Sequence, residues 1–403
     1  MLEHCQNSTG VVTAPTQNER AAFRTQIDAW FAANAPQRGS DEDFSAIHIV
    51  SGNSIAEYRE AERHALDVSL AWQKRLQAAG LSGRSWPVDY GGQGAPSWQE
   101  EEIAQVKALY GVSTKVLAVG LEMLPPVLFA HGSHEQRLRY LPPSVRGDET
   151  WCQLLSEPDA GSDLGSATSF AAPVSGGWSV SGQKVWTSGA GTSDYALLIA
   201  RTDREASGMG GLSCFLLSMA QPGIEVRPLR QMSGAYHFNE VFLQDAFISE
   251  ESLVGQLGDA RAILRTMLAS ERAAIGGGTS ARSAQQLLLL ARRLGRHEEA
   301  IVRQEVSKAY MREKVLDLTQ QRIGAGAQVP AGGSVVKLMY SEHARLCANT
   351  GAWLLGPAAV ADVSPDDQAW RERLLFAPGL RIGGGTDEIQ RNTIAERGLS
   401  LPR

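Results

Sequence analysis

Cysteine is scarce in this chain, and a basic surplus, long apolar runs and phosphate-cradling glycine motifs are missing. Four cysteines, Cys5, Cys152, Cys214 and Cys347, are spread through 403 residues with no Cys-x-x-Cys pair. A structural zinc site needs closely spaced ligands, so no metal is expected, and isolated thiols fit a reducing cytoplasm. Lysine and arginine number 38 against 44 aspartates and glutamates, a formal net charge of −6. A nucleic-acid partner requires a basic face to neutralise phosphates; the scattered arginines build neither that face nor a membrane-binding patch. No apolar stretch reaches the ~20 residues that a spanning helix needs. The segment Met1 to Thr16 is polar, without the basic start and apolar run of a secretory leader. No G-x-x-x-x-G-K-[ST] loop occurs, and no G-x-G-x-x-G follows a strand, which argues against a nucleoside triphosphatase and against a Rossmann dinucleotide site. His131 and His134 have no third ligand nearby in sequence and read as helix-end histidines.

What is there has the texture of a globular protein, with 43% hydrophobic and 20% charged residues. The apolar pattern changes character twice, which predicts an α+β chain of three parts. Residues 1–148 are expected to form an N-terminal helical domain, with helical periods over Glu19 to Ala33 and Ile55 to Ala79. Residues 149–256 are expected to form a β domain. Gly177 to Trp186 reads there as two alternating strands joined by a Ser181-Gly182 turn, with further strands over Tyr195 to Arg201 and Leu212 to Leu217. Residues 257–403 are expected to form a helical bundle of four long helices, Leu257 to Ile275, Ala281 to Leu294, Ile301 to Arg322 and Ser334 to Leu355. A short last helix, Thr386 to Arg397, follows Gly383-Gly384-Gly385.

Glu271 is the sharpest chemical signal. On a wheel of about 100° per residue, Ala260, Leu264, Met267, Leu268 and Ile275 share one apolar stripe, and Glu271 falls near its middle. A carboxylate on such a face is either a general base with a raised pKa or half of a buried ion pair with a neighbouring arginine. Two loops add weaker signals. Ser156-Glu157-Pro158-Asp159-Ala160-Gly161-Ser162-Asp163 offers hydroxyls and free N–H groups at the start of the β region. Trp186-Thr187-Ser188-Gly189 sets an aromatic plane beside hydroxyls.

Four blocks in order then carry a resemblance. They are Trp86-Pro87-x-x-Tyr90-Gly91-Gly92-x-Gly94, Ser156-Glu157-Pro158-x-Ala160-Gly161-Ser162-Asp163, Gly182-Gln183-Lys184-x-Trp186-Thr187-Ser188-Gly189 and Gly384-Gly385-Thr386-x-Glu388-Ile389-Gln390-Arg391-Asn392. Together, over roughly Asn18 to Arg403, they resemble the acyl-CoA dehydrogenase family. The resemblance implies FAD between the β domain and the C-terminal helices. Leu154, Leu155 and Ser156 would line the flavin ring, Trp186 would cover one face, and Ser188 would reach flavin N5. Thr386 and Glu388 match positions near the rest of FAD. Ser162, Arg272 and Gly385 match positions around the acyl-CoA. The implied reaction is α,β-dehydrogenation of an acyl-CoA thioester, with electrons passed to an electron-transfer flavoprotein.

The sequence departs from the common pattern twice. Many members carry the catalytic glutamate immediately before the Gly-Thr of the last block, where this chain has Gly384. Another branch carries it in the first bundle helix within a Glu-Arg pair, and Glu271-Arg272 matches that branch. Gly384 is left with a backbone N–H that suits a thioester carbonyl. At the adenine end, Arg292-Arg293-Leu294-Gly295 and Trp353-Leu354-Leu355-Gly356-Pro357 stand where the family pattern has Arg-x-x-Phe-Gly and Gln-x-x-Gly-Gly. The resemblance implies an oligomer, either a homo-oligomer or a heterotetramer with a related subunit, and the missing Phe, Gln and second Gly are the motive for the heteromer. An oxidase or monooxygenase on the same fold and a non-catalytic partner subunit are the competing readings.

Overall fold

A computed structural model describes residues 15–47, 54–276, 283–361 and 365–402. The chain packs as two compact units. The N-terminal part holds α1 (Gln17–Asn34), α2 (Ile55–Ala78), α3 (Ser97–Lys107), α4 (Leu124–His131) and α5 (His134–Arg146). Of these, α4 belongs to the second unit and the rest lie mainly in the first. A reciprocal cap starts α1: Glu19 N donates to Thr16 Oγ1 at 3.2 Å, and Thr16 N donates to Glu19 Oε2 at 2.8 Å. Helical spacing then turns Ile27 and Phe31 inward onto Trp72, Leu76, Ile103 and Val106, with the Phe31 and Tyr110 rings stacked 5.4 Å apart.

The second unit opens with a single eight-stranded sheet. Its strands are β1 (Trp151–Leu154), β2 (Phe170–Val174), β3 (Gly177–Ser188), β4 (Tyr195–Arg201), β5 (Leu212–Ser218), β6 (Ile224–Leu229), β7 (Phe238–Ser249) and β8 (Leu253–Val254). The order is β6-β7-β3-β2-β4-β5-β8, with β1 parallel to β4. The strands expected at Tyr195 and Leu212 are present as β4 and β5. The pair expected within Gly177 to Trp186 is one strand, β3, because the hairpin turns earlier: Val174 pairs with Gly177 across Ser175-Gly176, where Gly176 has φ +77°. Gly182 serves close packing instead, since a Cβ there would lie 2.2 Å from Ser169 Oγ. Leu154, Ala171, Val180, Leu198, Phe215 and Val241 are among the buried core residues of the sheet.

The same unit continues into α6 (Ala260–Gly276), α7 (Ser283–Arg293), α8 (Ala300–Gly324), α9 (Gly332–Leu355), α10 (Pro365–Leu380) and α11 (Asp387–Thr393). The four long helices expected from periodicity are α6 to α9. The fifth, α10, packs on α9, where Trp370 lies so close to Gly351 that a Cβ would meet its ring at 2.1 Å. Prolines at 365 and 378 masked its period. Cys152, Cys214 and Cys347 are buried free thiols, and Cys5 lies outside the described residues. Among the described residues no helix is long and apolar enough to cross a membrane, and no cluster of metal-ligating side chains forms.

Candidate active site

The end of β3 carries the most conspicuous local distortion. The β3–β7 register slips between Lys184 and Thr187, and within the slip Trp186 has φ +62°, a left-handed conformation that costs a non-glycine residue roughly 1–2 kcal/mol. The bulge re-aims the side chain: Trp186 is 60% exposed, with Phe238 edge-on to it at 5.8 Å. Ser188 follows on the same exposed end, and its Oγ is 3.4 Å from His237 Nε2. Between them Thr187 is buried and its Oγ1 has no hydrogen-bond partner among the described residues. An indole face held open by strained backbone, an exposed hydroxyl and an orphaned polar atom make a set that fits a planar, polar-edged ring such as a flavin.

A buried ion pair holds the neighbouring loop against this strand. Lys184, 0% exposed, donates to Glu157 Oε1 at 2.7 Å and to Leu155 O at 3.0 Å. Val185 N donates to Ser156 O at 2.9 Å. Glu157, 5% exposed, also accepts from Thr168 N at 2.6 Å, Thr168 Oγ1 at 2.9 Å and Ser169 N at 3.0 Å. Burial alone would raise the Glu157 carboxyl, but the Lys184 ammonium and these donors outweigh it and lower it to about 2. The structure thus brings Leu155 and Ser156 to the strand that carries Trp186. Leu154 places its side chain in the sheet core, so that position offers a ligand its backbone. In the sequence Glu157 and Lys184 stand only as members of two motif blocks, with no role given to either; a lysine in register with Trp178, Val180 and Trp186 of an alternating strand was the available signal.

The glycine loop before α11 is anchored from beneath. Asp387, wholly buried, accepts from Ser341 Oγ at 2.6 Å, Lys337 Nζ at 3.1 Å and Arg381 Nε at 2.7 Å. Gln390 Nε2 donates to the carbonyls of Gly384 and Gly385 at 3.0 and 3.1 Å. Those glycines have φ of +67° and +90°, and Thr386 caps α11 by accepting from Ile389 N at 3.2 Å. Lys337→Met leaves Ser341 and Arg381 on the carboxylate, so the expected loss is that of one charged hydrogen bond, about 2 kcal/mol, read as a lowered urea midpoint. An unchanged midpoint would mean that Lys337 carries none of the anchoring.

Helix α6 packs against α4, α9 and β5. Its buried residues Ala260, Ile263, Leu264 and Met267 define one face, and Arg261 and Arg265 are exposed. Glu271 follows Met267 by one helical turn on that face; the side chains of Glu271 and Arg272 lie outside the described residues. His131 caps the packing of α4 on α6, with Nε2 2.9 Å from Thr266 Oγ1.

Ser162 and Glu388 are exposed, and no hydrogen bond joins either to Trp186, Ser188 or the glycine loop among the described residues. Glu388 lies 3.6 Å from Arg391 in a surface ion pair. Arg296, the residue after the first altered segment, reaches the second: its Nη1 donates to Leu354 O at 3.0 Å, and its guanidinium lies 4.9 Å from the Trp353 ring.

Comparison with known proteins places each part of the chain. Family models for the acyl-CoA dehydrogenase N-terminal, middle and C-terminal domains match residues 47–148, 152–246 and 258–399. Acyl-CoA dehydrogenase IpdE1 of Mycobacterium tuberculosis is 33% identical over 389 residues, covering 94% of this chain and 97% of the relative. Acyl-CoA dehydrogenase FadE34 of the same organism is 36% identical over 345 residues, 82% of this chain but 46% of that longer one. Among solved structures, the Tcur3481-Tcur3483 steroid ACAD shares the fold with a TM-score of 0.77 at 24% identity, over 96% of this chain and 99% of the other. The ChsE4-ChsE5 complex from Mycobacterium tuberculosis gives 0.74 at 23% identity, over 97% and 99%.

Proposed function

Because the chain belongs to the acyl-CoA dehydrogenase family, we propose that it is an FAD-dependent enzyme that converts an acyl-CoA thioester to the trans-2-enoyl-CoA. Its electrons then pass to an electron-transfer flavoprotein. The observation that carries the proposal is the Trp186 bulge, an exposed indole on strained backbone beside the Ser188 hydroxyl. Bound FAD supplies the acceptor for the hydride that leaves the substrate β-carbon. Trp186, Ser188 and the backbone of Leu154, Leu155 and Ser156 hold its ring, with Thr386 and Glu388 toward its tail. Glu271 takes the α-proton. The backbone N–H of Gly384 polarises the thioester carbonyl as negative charge develops on its oxygen, and Ser162, Arg272 and Gly385 bind the acyl-CoA.

The purified chain is expected to be yellow and to bleach under anaerobic acyl-CoA. A thioester panel with a dye acceptor identifies the substrate; it includes ring-bearing acyl groups, since one structural neighbour is a steroid ACAD. Oxygen uptake in place of dye reduction would turn the assignment toward an oxidase. The altered segments around Arg292 and Trp353 favour an assembly in which a related subunit completes the adenine end of FAD. Native mass after co-expression with a paralogous subunit is expected to show a heterotetramer, or a homo-oligomer when expressed alone. A flavin-loaded monomer would overturn both forms.

A further inference from the structure

His237 precedes β7 by one residue, and the first rung of the β3–β7 ladder pairs Ser188 with Phe238. The ladder therefore sets His237 beside the Ser188 side chain, Nε2 to Oγ 3.4 Å. The imidazole is wedged edge-on between Phe238, 4.9 Å and 72° away, and Phe376 of α10, 6.3 Å and 87° away. Burial lowers its pKa, which favours the neutral imidazole, with one N–H and one bare nitrogen. It makes no other hydrogen bond among the described residues. The Ser188 hydroxyl itself has one proton to give and lone pairs to receive, and without a second partner it would rotate freely.

We infer that His237 is a positioning residue that sets the direction of the Ser188 hydroxyl toward a flavin nitrogen. With the proton on Nε2, the imidazole donates to Ser188 Oγ and leaves the serine proton free for a bare ring nitrogen. With Nε2 bare, it accepts the serine proton and leaves the Oγ lone pairs for a protonated one. One tautomer change lets Ser188 serve both states of the ring. The 3.4 Å separation is at the long end for a hydrogen bond, as is common in a site before its ligand is bound. Phe376 lies on α10, and Arg381, the first residue after that helix, donates to Asp387, so the chain that carries Phe376 runs on into the anchored glycine loop.

The inference rests on the flavin reading of this site, and its test separates the two. His237→Phe keeps the aromatic packing and removes the nitrogens; His237→Gln restores a donor and an acceptor at similar reach. In the apoprotein, Ser188→Ala is expected to shift the His237 imidazole nitrogen resonances, and unmoved resonances would overturn the contact whether or not flavin binds. In the full chain, with its partner subunit if one is required, Ser188→Ala and His237→Phe should each weaken FAD binding about five-fold, the worth of one hydrogen bond. The double variant should bind no worse than Ser188→Ala alone, and His237→Gln should bind nearly as wild type. Effects of the two substitutions that multiply, or no rescue by glutamine, would overturn the positioning role. A wild-type chain that takes up no FAD would overturn the proposed function instead, and the apoprotein resonances would then decide the contact alone.

Discussion

Glu271→Gln is expected to slow reduction of the bound flavin by a confirmed acyl-CoA by at least about 100-fold, within the range a positioned general base supplies. The argument starts from the helix. Ala260, Ile263, Leu264 and Met267 are buried along one face of α6, and Glu271 is the next position on that face. The alternative base position, Gly384, has no side chain to take a proton. Glutamine keeps the volume and the hydrogen-bonding capacity, so the flavin spectrum should stay near wild type while proton abstraction fails. Anaerobic stopped-flow reduction reads the effect directly. Near-normal rates would mean the base lies elsewhere; lost flavin or lost solubility would mark Glu271 as the structural partner of Arg272. Moving the acid to position 384 in the same background carries a cost, because Gly384 sits at φ +67°, where a side chain is strained by roughly 1–2 kcal/mol. Any rescue by Gly384→Glu is therefore expected to be partial.

The elements legible in the sequence are those whose local signal and tertiary role agree. The α6 stripe, the α1 period and the apolar runs of β4 and β5 each state in a few residues what the packing then uses. What escaped reading depends on a partner distant in the chain. Gly182 looks like a turn residue, yet it is required because Ser169, just before β2, approaches it closely. The φ of Trp186 follows from a ladder slip against β7, which no property of the Trp-Thr-Ser-Gly segment announces. Asp387 reads as an ordinary first-turn acid of α11, and only the fold shows Lys337 of α9 and Arg381, just past α10, closing on it. His237 gave no signal at all, since its neighbours Ser188 and Phe376 are 49 and 139 positions away. The candidate site was thus readable as motifs, whereas the contacts that hold those motifs in place were not.

Lys184→Met is expected to cost about 3–5 kcal/mol, the usual penalty for breaking a buried ion pair by removing one partner. Methionine keeps the length and apolar stem of the side chain, so the loss is the ammonium alone. Glu157 would then hold a buried carboxylate on the Thr168 and Ser169 donors only, and Leu155 O would lose its donor. The lysine itself bears a burial cost, which lowers its pKa, while Glu157 opposes that shift; the pair is stable as a pair and not as separate charges. The acid limb of stability follows with a definite sign. The Glu157 carboxyl is lowered from its ordinary 4.5 to about 2, so its contribution is fully present above 4.5 and is lost as pH falls toward 2. Protonation there also leaves Lys184 charged and unpaired in the interior, which steepens the loss. Urea midpoints between pH 7 and pH 2.5 should therefore fall in the wild type, and much less in Lys184→Met, which has already lost the interaction. Adding Glu157→Gln to Lys184→Met should recover part of the stability, because two neutral groups remain where one unpaired charge stood. A Lys184→Met midpoint near wild type at pH 7, or equal acid slopes in the two proteins, would remove the ion pair from its place as the clasp between the 155–157 segment and β3. If the clasp is as described, the same variant should hold flavin more weakly even where it folds, since Lys184 and the Val185 N–H tie Leu155 and Ser156 to the Trp186 strand.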